Sequence, residues 1–429
     1  MRINNWSTAA LLLFLSMSGH AQERKNLSLD EVMQLAFSNS NEAKLLEAKV
    51  KAKELDYQVT KDIALPESKI SGTYMTMNKP DVNLKINSGG DASSQISTNQ
   101  LILGQLSVNM PIYTGGKIKH SIHAAEHAWK ATELQSLAAK QNLAVQALHL
   151  YIALYKAQKT KSLIAENIKK AEQQVVDFKA MEENGLIARN DLLKAELQLS
   201  NYKVAYQEAA KNVRILNYQL NTLISIDENT TLDEIQLTEV SSQPHLGQVE
   251  DRLEIQALQA QKEIAEDQLK IAHSAYYPTI AATGGYAAIH LQNIMTVTNA
   301  ANIGIGLSYD LGALYKNKKK INSAKHQIEE TQLNIIQTQD KIKNQIQEAY
   351  QEVILAQQQL KLYEEALHQA QENYRIVKDK YDNGVADTDD LLEADVQLLQ
   401  SEINLAIGKA NTVEKHYDLL LANGQLNLK

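Results

Sequence analysis

The sequence contains no cysteine, only five prolines and no apolar run long enough to cross a bilayer as a helix. Each of these absences removes a class of protein. Without cysteine there can be no disulfide framework, no thiolate metal site and no lipid anchored through sulfur. A transmembrane helix needs about 20 consecutive apolar residues, and the longest apolar stretch, Ala9 to Met17, is too short. It follows Arg2 and precedes Gly19-His20-Ala21, so residues 1–21 read as a secretory signal with the mature chain starting at Gln22. If the chain enters a membrane, it does so as strands.

Charge of one sign is also scarce. The formal net charge is −8 and the Lys and Arg residues alternate with Asp and Glu along helical stretches, the pattern of solvated helix faces rather than of a nucleic-acid surface. The prolines fall at 66, 80, 111, 244 and 278, leaving long runs rich in Ala, Gln, Glu, Lys and Leu, the composition of extended helices. No Gly-x-Ser-x-Gly, phosphate loop or HExxH is present, so nothing points to catalysis and no cofactor is implied.

What is present is a duplication. Glu42, Glu54, Pro66, Gly72 and Tyr74 recur 212 residues later as Glu254, Glu266, Pro278, Gly284 and Tyr286. Beyond Lys117 the offset is 199: Asn184, Gly185, Asp191, Leu192 and Ala195 recur as Asn383, Gly384, Asp390, Leu391 and Ala394. The two offsets differ by 13 residues, which places a longer loop in the first copy, within the Gly-, Ser- and Asn-rich stretch 78–100. The chain thus divides into a signal (1–21), a first repeat (22–226), a linking segment (227–248) and a second repeat (249–429).

Each repeat reads as helix, two strands, very long helix, tight turn and returning helix. Ser28 and Glu31 form a capping box for a first helix that runs to about Leu65, before Pro66; its counterpart ends at Tyr277, before Pro278. After each proline the period becomes two. Ile303, Ile305, Leu307 and Tyr309 alternate with Asn302, Gly304, Gly306 and Ser308, and Leu106, Val108, Met110 and Ile112 with Gln105, Ser107 and Asn109. Their partners are 68–78 and 279–290, giving hairpins over 68–113 and 279–311 and four strands of the length a tilted membrane strand requires. Four strands cannot close a barrel, and open edges are not tolerated in lipid. Two copies would give eight strands and a filled interior, whereas three give twelve and room for a lumen.

The segments 117–183 and 316–382 hold 67 residues each without proline, rods of roughly 100 Å at about 1.5 Å per residue. Along the second, Ile346, Val353, Leu360, Leu367, Tyr374 and Tyr381 recur every seven residues, as do Ile342, Ala349, Ala356, Tyr363, Ala370 and Val377, a heptad seam for an antiparallel partner. Asn184-Gly185 and Asn383-Gly384 supply the turns, and Asn190 and Thr388 are candidate caps for the returning helices 191–226 and 390–422. The segment 227–248 would band the middle of the helical tube.

The Leu-Ser-Leu-Asp-Glu start at 27–31, the strand entries Leu-Pro-Glu-Ser-Lys-Ile and Tyr-Tyr-Pro-Thr-Ile, the exit Pro111-Ile-Tyr-Thr-Gly-Gly116 and the tips Asn-Gly-Leu-Ile-Ala-Arg-Asn-Asp-Leu-Leu and Asn-Gly-Val-Ala-Asp-Thr-Asp-Asp-Leu-Leu together resemble the TolC family of outer-membrane efflux and secretion ducts. The resemblance covers essentially the whole mature chain. It implies a mixed, mainly α fold: long antiparallel coiled-coil helices forming a periplasmic α-barrel, plus a four-strand contribution to a trimeric transmembrane β-barrel. It further implies a homotrimer in outer-membrane lipid, docked through the tip turns Asn184, Gly185, Asn383 and Gly384 onto a periplasmic adaptor that serves an inner-membrane transporter. Such a duct is passive and not an enzyme; it works in tripartite efflux or type I secretion.

The resemblance also singles out side chains. Asp390 and Glu393 match positions where the family places acidic residues at the closed entrance, so three copies would make two acidic rings; the plainer reading is helix-end electrostatics, worth about 0.3–1 kcal/mol each. Asp191 and Tyr381 match positions that tie the helix pairs shut, but the arginine that the family can add after the tip glycine is Ala386 here; Tyr381 is also the last residue of the heptad seam. His120, His123 and His127 share one helix face, yet the second repeat keeps only His326 and no carboxylate completes the set, so no metal site is assigned. Lys316 to Lys320 reads as a solvated or headgroup-facing anchor. The competing readings are a secreted or envelope-anchored coiled-coil rod without a pore, which gives no reason for two alternating hairpins after prolines, and a porin, which needs many more strands and no long helices.

Overall fold

The computed structural model describes residues 24–78, 99–238, 244–426 and 428; the signal, most of the 78–100 loop and part of the linking segment lie outside them. In chain order the elements are β1 (Arg24–Lys25), α1 (Leu29–Ser38), α2 (Asn41–Asp62), β2 (Glu67–Thr76), β3 (Gln100–Tyr113), α3 (Lys117–Glu183), α4 (Arg189–Leu223), β4 (Thr231–Leu232), α5 (Leu253–Ser274), β5 (Thr279–Leu291), β6 (Met295–Ser308), α6 (Ala313–Asp382) and α7 (Thr388–Ala422). They form two compact units, each built from both halves of the chain: 1–47 with 136–253 and 339–429, and 48–135 with 254–338.

The first helix is two. Ser28 closes the expected capping box with Glu31, but the helix stops at Ser38 instead of continuing to Leu65. There the Ser40 hydroxyl donates to the Ala36 carbonyl (2.7 Å) and accepts from the Ala43 amide (3.0 Å), so it serves the end of one helix and the start of the next. α2 ends at Asp62 and α5 at Ser274, a few residues before the prolines. α3 has the expected bounds, 117–183, while α6 begins at Ala313, three residues before the expected Lys316.

The unit formed by 48–135 and 254–338 holds one antiparallel sheet of four strands in the order β2-β3-β5-β6. Register sets its two faces. Ile70 pairs with Leu106 and Leu106 with Tyr286; Val108 pairs with Gly284 and Gly284 with Ile303, giving an apolar face. On the other face Lys69 pairs with Ser107, and Glu67 with Asn109, which in turn pairs with Thr283. The apolar face is bare: Ile303 is 93% exposed and Ile70 83%. β2 and β6 end the order, so each has one edge with no strand beside it among the described residues. Among those residues, no helix is long and apolar enough to cross a membrane.

In the same unit the strand-to-helix exit after β3 depends on Gly115 and Gly116, whose φ angles are 62° and 86°. Space matters at Gly115 as well, because a Cβ there would lie 2.7 Å from the Ser274 carbonyl and 2.7 Å from Tyr277 Cβ. Tyr57 of α2 stacks on Trp129 of α3 at 5.9 Å, and the Asn317 side-chain amide donates to the Ala272 carbonyl (2.6 Å), joining α6 to α5.

The other unit is packed around Tyr151, Leu148, Ile152 and Leu154 of α3 with Val32 and Met33 of α1, Leu220 of α4, Ile224 just after it and Val413 of α7. Tyr151 donates to the Leu27 carbonyl (2.7 Å). The linking segment lies against this core through Leu232 and Ile235, fixed by Gln158, which accepts from the Ile235 amide, and by Lys159, which pairs with Glu234 at 2.7 Å. The heptad seam of α6 is where the period places it: Ile342, Ile346, Val353 and Ala356 are buried, and Leu360, Tyr363, Leu367, Tyr374, Val377 and Tyr381 half-buried. Gly408 of α7 meets this seam, since a Cβ there would fall 2.7 Å from the Tyr363 ring.

Gly115→Ala therefore combines a left-handed backbone, costing about 1 kcal/mol, with a clash against backbone. Thermal unfolding followed by circular dichroism should show a clearly lower midpoint, whereas Gly72→Ala, where a Cβ meets nothing within 4 Å, should be close to neutral.

Candidate functional site at the helix tips

Within the unit formed by 1–47, 136–253 and 339–429, both long helices end in the same local structure. At the first tip Gly185 has φ 72°, its amide donates to the Glu182 carbonyl and the Leu186 amide donates back to Met181; at the second, Gly384 has φ 70°, its amide donates to Tyr381 and the Val385 amide to Lys380. This pair of bonds satisfies carbonyls that the helix end leaves open, and it needs a residue that tolerates positive φ. Asn184 and Asn383 add a side-chain bond each, to Ala180 and Asp379 carbonyls at 2.7 Å.

The returning helices start differently from expectation. α4 begins after Ala188, which offers no side-chain cap, and Asn190 lies inside the first turn. α7 is capped by Asp387, and Thr388 is its first residue. The reason is a reciprocal pair of bonds: the Asp390 amide donates to Asp387 Oδ1 (2.9 Å) and the Asp387 amide to Asp390 Oδ2 (3.4 Å), a capping box built from two aspartates. The Asp390 carboxylate thus holds the helix start.

Asp390 is nonetheless exposed, as is Glu393, which accepts from Gln397 Nε2 at 3.1 Å. Gln400 donates in turn to Asn404 Oδ1 at 2.9 Å. Asp390, Glu393, Gln397, Gln400 and Asn404 follow the spacing of one helix face, so α7 carries a continuous polar stripe leading from the tip. Its opposite side is apolar: Leu391 joins Phe178, Leu192 and Ala195 in a cluster on which Tyr374, Val377 and Tyr381 pack.

The two tips are linked. Lys194 of α4 pairs with Asp389 of α7 at 2.8 Å and lies 3.8 Å from Asp191; the bond from Asp389 raises the lysine pKa above its ordinary value. Tyr381 stacks on Phe178 with ring centroids 5.6 Å apart. Its hydroxyl is buried beside Thr388 and Asp191 without a hydrogen bond of ordinary geometry, and burial pushes its pKa up. Tyr381 thus packs across the two tips through Phe178, and the Lys194–Asp389 pair joins them on the returning helices. Ala386 lies in the turn before α7.

Besides Lys194, Asp387 and Asp389, sequence reasoning passed over a buried acid here. Asp395 is 6% exposed in the apolar stripe of α7, where its Oδ2 accepts from Tyr202 Oη of α4 (2.9 Å) and Asn167 Nδ2 of α3 (3.3 Å). Burial, and then the Asp395 charge, drive the Tyr202 pKa upward. The signal was available: an aspartate at a position where Leu391, Ala394 and Leu398 repeat. Elsewhere, Lys316, Lys318, Lys319 and Lys320 are exposed within the first turns of α6. The carboxylate that the three histidines of α3 lacked in sequence is supplied by Asp267 of α5, whose Oδ1 is 2.9 Å from His120 Nδ1.

Tyr202→Phe removes the shorter of the two bonds to a buried carboxylate, which should destabilise by about 1–3 kcal/mol. Tyr202→Phe combined with Asp395→Leu, which leaves no buried charge to satisfy, should recover part of that loss in thermal melts.

A sequence model of the family described as "Outer membrane efflux protein" matches residues 32–225 and 249–425. Among curated relatives, the outer membrane efflux protein BepC of Brucella suis is 23% identical over 335 residues, 75% of this chain and 72% of that one. Solved structures share the fold. The CmeC outer membrane channel of Campylobacter jejuni superposes with a TM-score of 0.79 at 19% identity, covering 96% of this chain and 92% of that one. The outer membrane protein VceC of Vibrio cholerae does so at 0.78 with 17% identity, covering 92% and 96%.

Proposed function

The chain belongs to the outer membrane efflux protein family, and from that premise we propose that three identical copies close one duct whose periplasmic entrance is lined by Asp390 and Glu393. As a member of that family it is an outer-membrane efflux channel, a passive conduit rather than an enzyme, with its helices in the periplasm. The coiled-coil rod without a pore falls away with the same finding.

The observation that carries the trimer is the sheet. Four strands with a bare apolar face and two open edges are stable in hydrocarbon only when the edges find partners, because each unpaired backbone group costs several kcal/mol there. Three copies supply twelve strands, enough for a lumen. The apolar face then meets outer-membrane lipid. The two repeats, 22–226 and 249–429, stand side by side in the helical tube, with 227–248 as an equatorial band.

The polar stripe of α7 supports the entrance reading. Its side chains from Asp390 to Asn404 bond along their own helix and leave an exposed, acid-tipped face, and threefold repetition turns each acid into a ring that favours cations. The turns at Asn184, Gly185, Asn383 and Gly384 are the contact for a periplasmic adaptor, which joins the duct to an inner-membrane transporter in tripartite efflux or type I secretion. Asp191 and the Lys194–Asp389 pair brace the neighbouring tips.

Asp390→Asn with Glu393→Gln tests this in planar bilayers. Asparagine keeps an acceptor for the helix cap, so the fold should survive. The reversal potential in a KCl gradient should move toward zero as cation preference falls. Unchanged selectivity with a lower melting temperature would restrict these two acids to holding the helix start.

A further inference from the structure

His120, His123 and His127 of α3 stand at spacings of three and four residues, which puts their rings on one face of the helix. Successive ring centroids are 6.0 and 6.5 Å apart. Facing them, α5 presents Asp267 and, one turn earlier, Glu263. Asp267 Oδ1 is 2.9 Å from His120 Nδ1, Asp267 Oδ2 is 3.3 Å from His127 Nδ1, and Glu263 Oε2 is 3.4 Å from His127 Nε2. His120, His123 and Asp267 each offer one ligand atom within 4.8 Å of the others.

Two observations set this cluster apart from an ordinary ion pair. Asp267 is only 2% exposed, and apart from His120 its contacts are the long approaches of His127 and of Lys270 at 3.4 Å. His127 Nδ1 is buried and makes no hydrogen bond to a described residue, although it faces that carboxylate. A buried carboxylate with imidazoles gathered around it offers the donors that a metal ion takes.

Its chemistry selects the cation. Two imidazole nitrogens and a carboxylate oxygen suit zinc and its neighbours, whereas calcium and magnesium take oxygen ligands. Three protein donors leave the fourth position of a tetrahedral site to water. We propose that His120, His123 and Asp267, with His127 beside them, bind one divalent transition-metal ion of the zinc type per chain, clamping α3 to α5 beside the strand exit. His120 lies close to that exit, its ring 3.5 Å from where a Cβ on Gly116 would be. The second repeat cannot copy the site, because 199 residues on the three positions are Lys319, Asn322 and His326.

The test uses the full-length protein in detergent, stripped with a chelator and titrated with zinc chloride by calorimetry and with cobalt(II) chloride by visible absorption. The expected result is one ion per chain, tetrahedral cobalt bands and a higher melting temperature with zinc. His123→Ala is the decisive variant. His123 has no ion pair among the described residues, so its loss spares the His120–Asp267 and His127–Glu263 contacts while removing a ligand; affinity should fall about tenfold or more. His149→Ala, in the separate His149, Glu414 and Asp418 group, should leave binding unchanged. Absence of stoichiometric binding, binding unaffected by His123→Ala, or binding abolished by His149→Ala would each overturn the proposal and leave the histidines as structural partners of a buried aspartate.

Discussion

A strand edge in hydrocarbon carries amide and carbonyl groups that no water can reach, and this chain has two such edges, on β2 and β6, flanking a sheet of only four strands. Covering them within one chain would take further strands, and the described residues outside this sheet are mainly helical. The apolar face adds the same demand: an isoleucine at 93% exposure has no place in water when Ile305 and Leu307 beside it, and Ile70 at the other end of the sheet, are also bare. Assembly in a membrane is thus built into the strand count, and an export channel is what such an assembly encloses.

The helices answer to a different constraint, uninterrupted length with a fixed register. The α6 seam is apolar and regular, and a few specific features mark the register of the helices around it. Gly408 makes room for Tyr363, Asp395 gathers Tyr202 and Asn167 from two other helices, and Lys194 reaches Asp389 across the tips. Buried polar contacts such as those of Asp395 gain little net stability, but a slipped register leaves them unpaired. They specify which turn of one helix faces which turn of the next. The apolar cluster at Phe178 and Tyr381 closes the end of the same packing.

Much of this was legible in the sequence, because periodicity and local turn chemistry are written in consecutive residues. Period-two alternation located β3 and β6, the heptad located the buried side of α6, and the glycines at 115–116 and 185 fixed α3 at both ends. What escaped had its cause elsewhere. The break between α1 and α2 follows from one serine hydroxyl bonding both ways, a choice no spacing reveals. Thr388 looked like a cap, but Asp387 can trade bonds with Asp390 and takes the position. Asp267 meets His120 from 147 residues away, so only the fold joins them. For Asp395 the sign was visible, an acid in an apolar stripe; its partners were not.

The chain has no cysteine of its own, which allows the edge argument to be tested directly. Single cysteines placed along β2 and along β6 in one chain, oxidised in outer-membrane fragments, report which edges meet. The account predicts disulfides between the β2 of one copy and the β6 of another, with a covalent trimer as the largest product. A monomer closed on itself, or a ladder ending at a dimer, would contradict it.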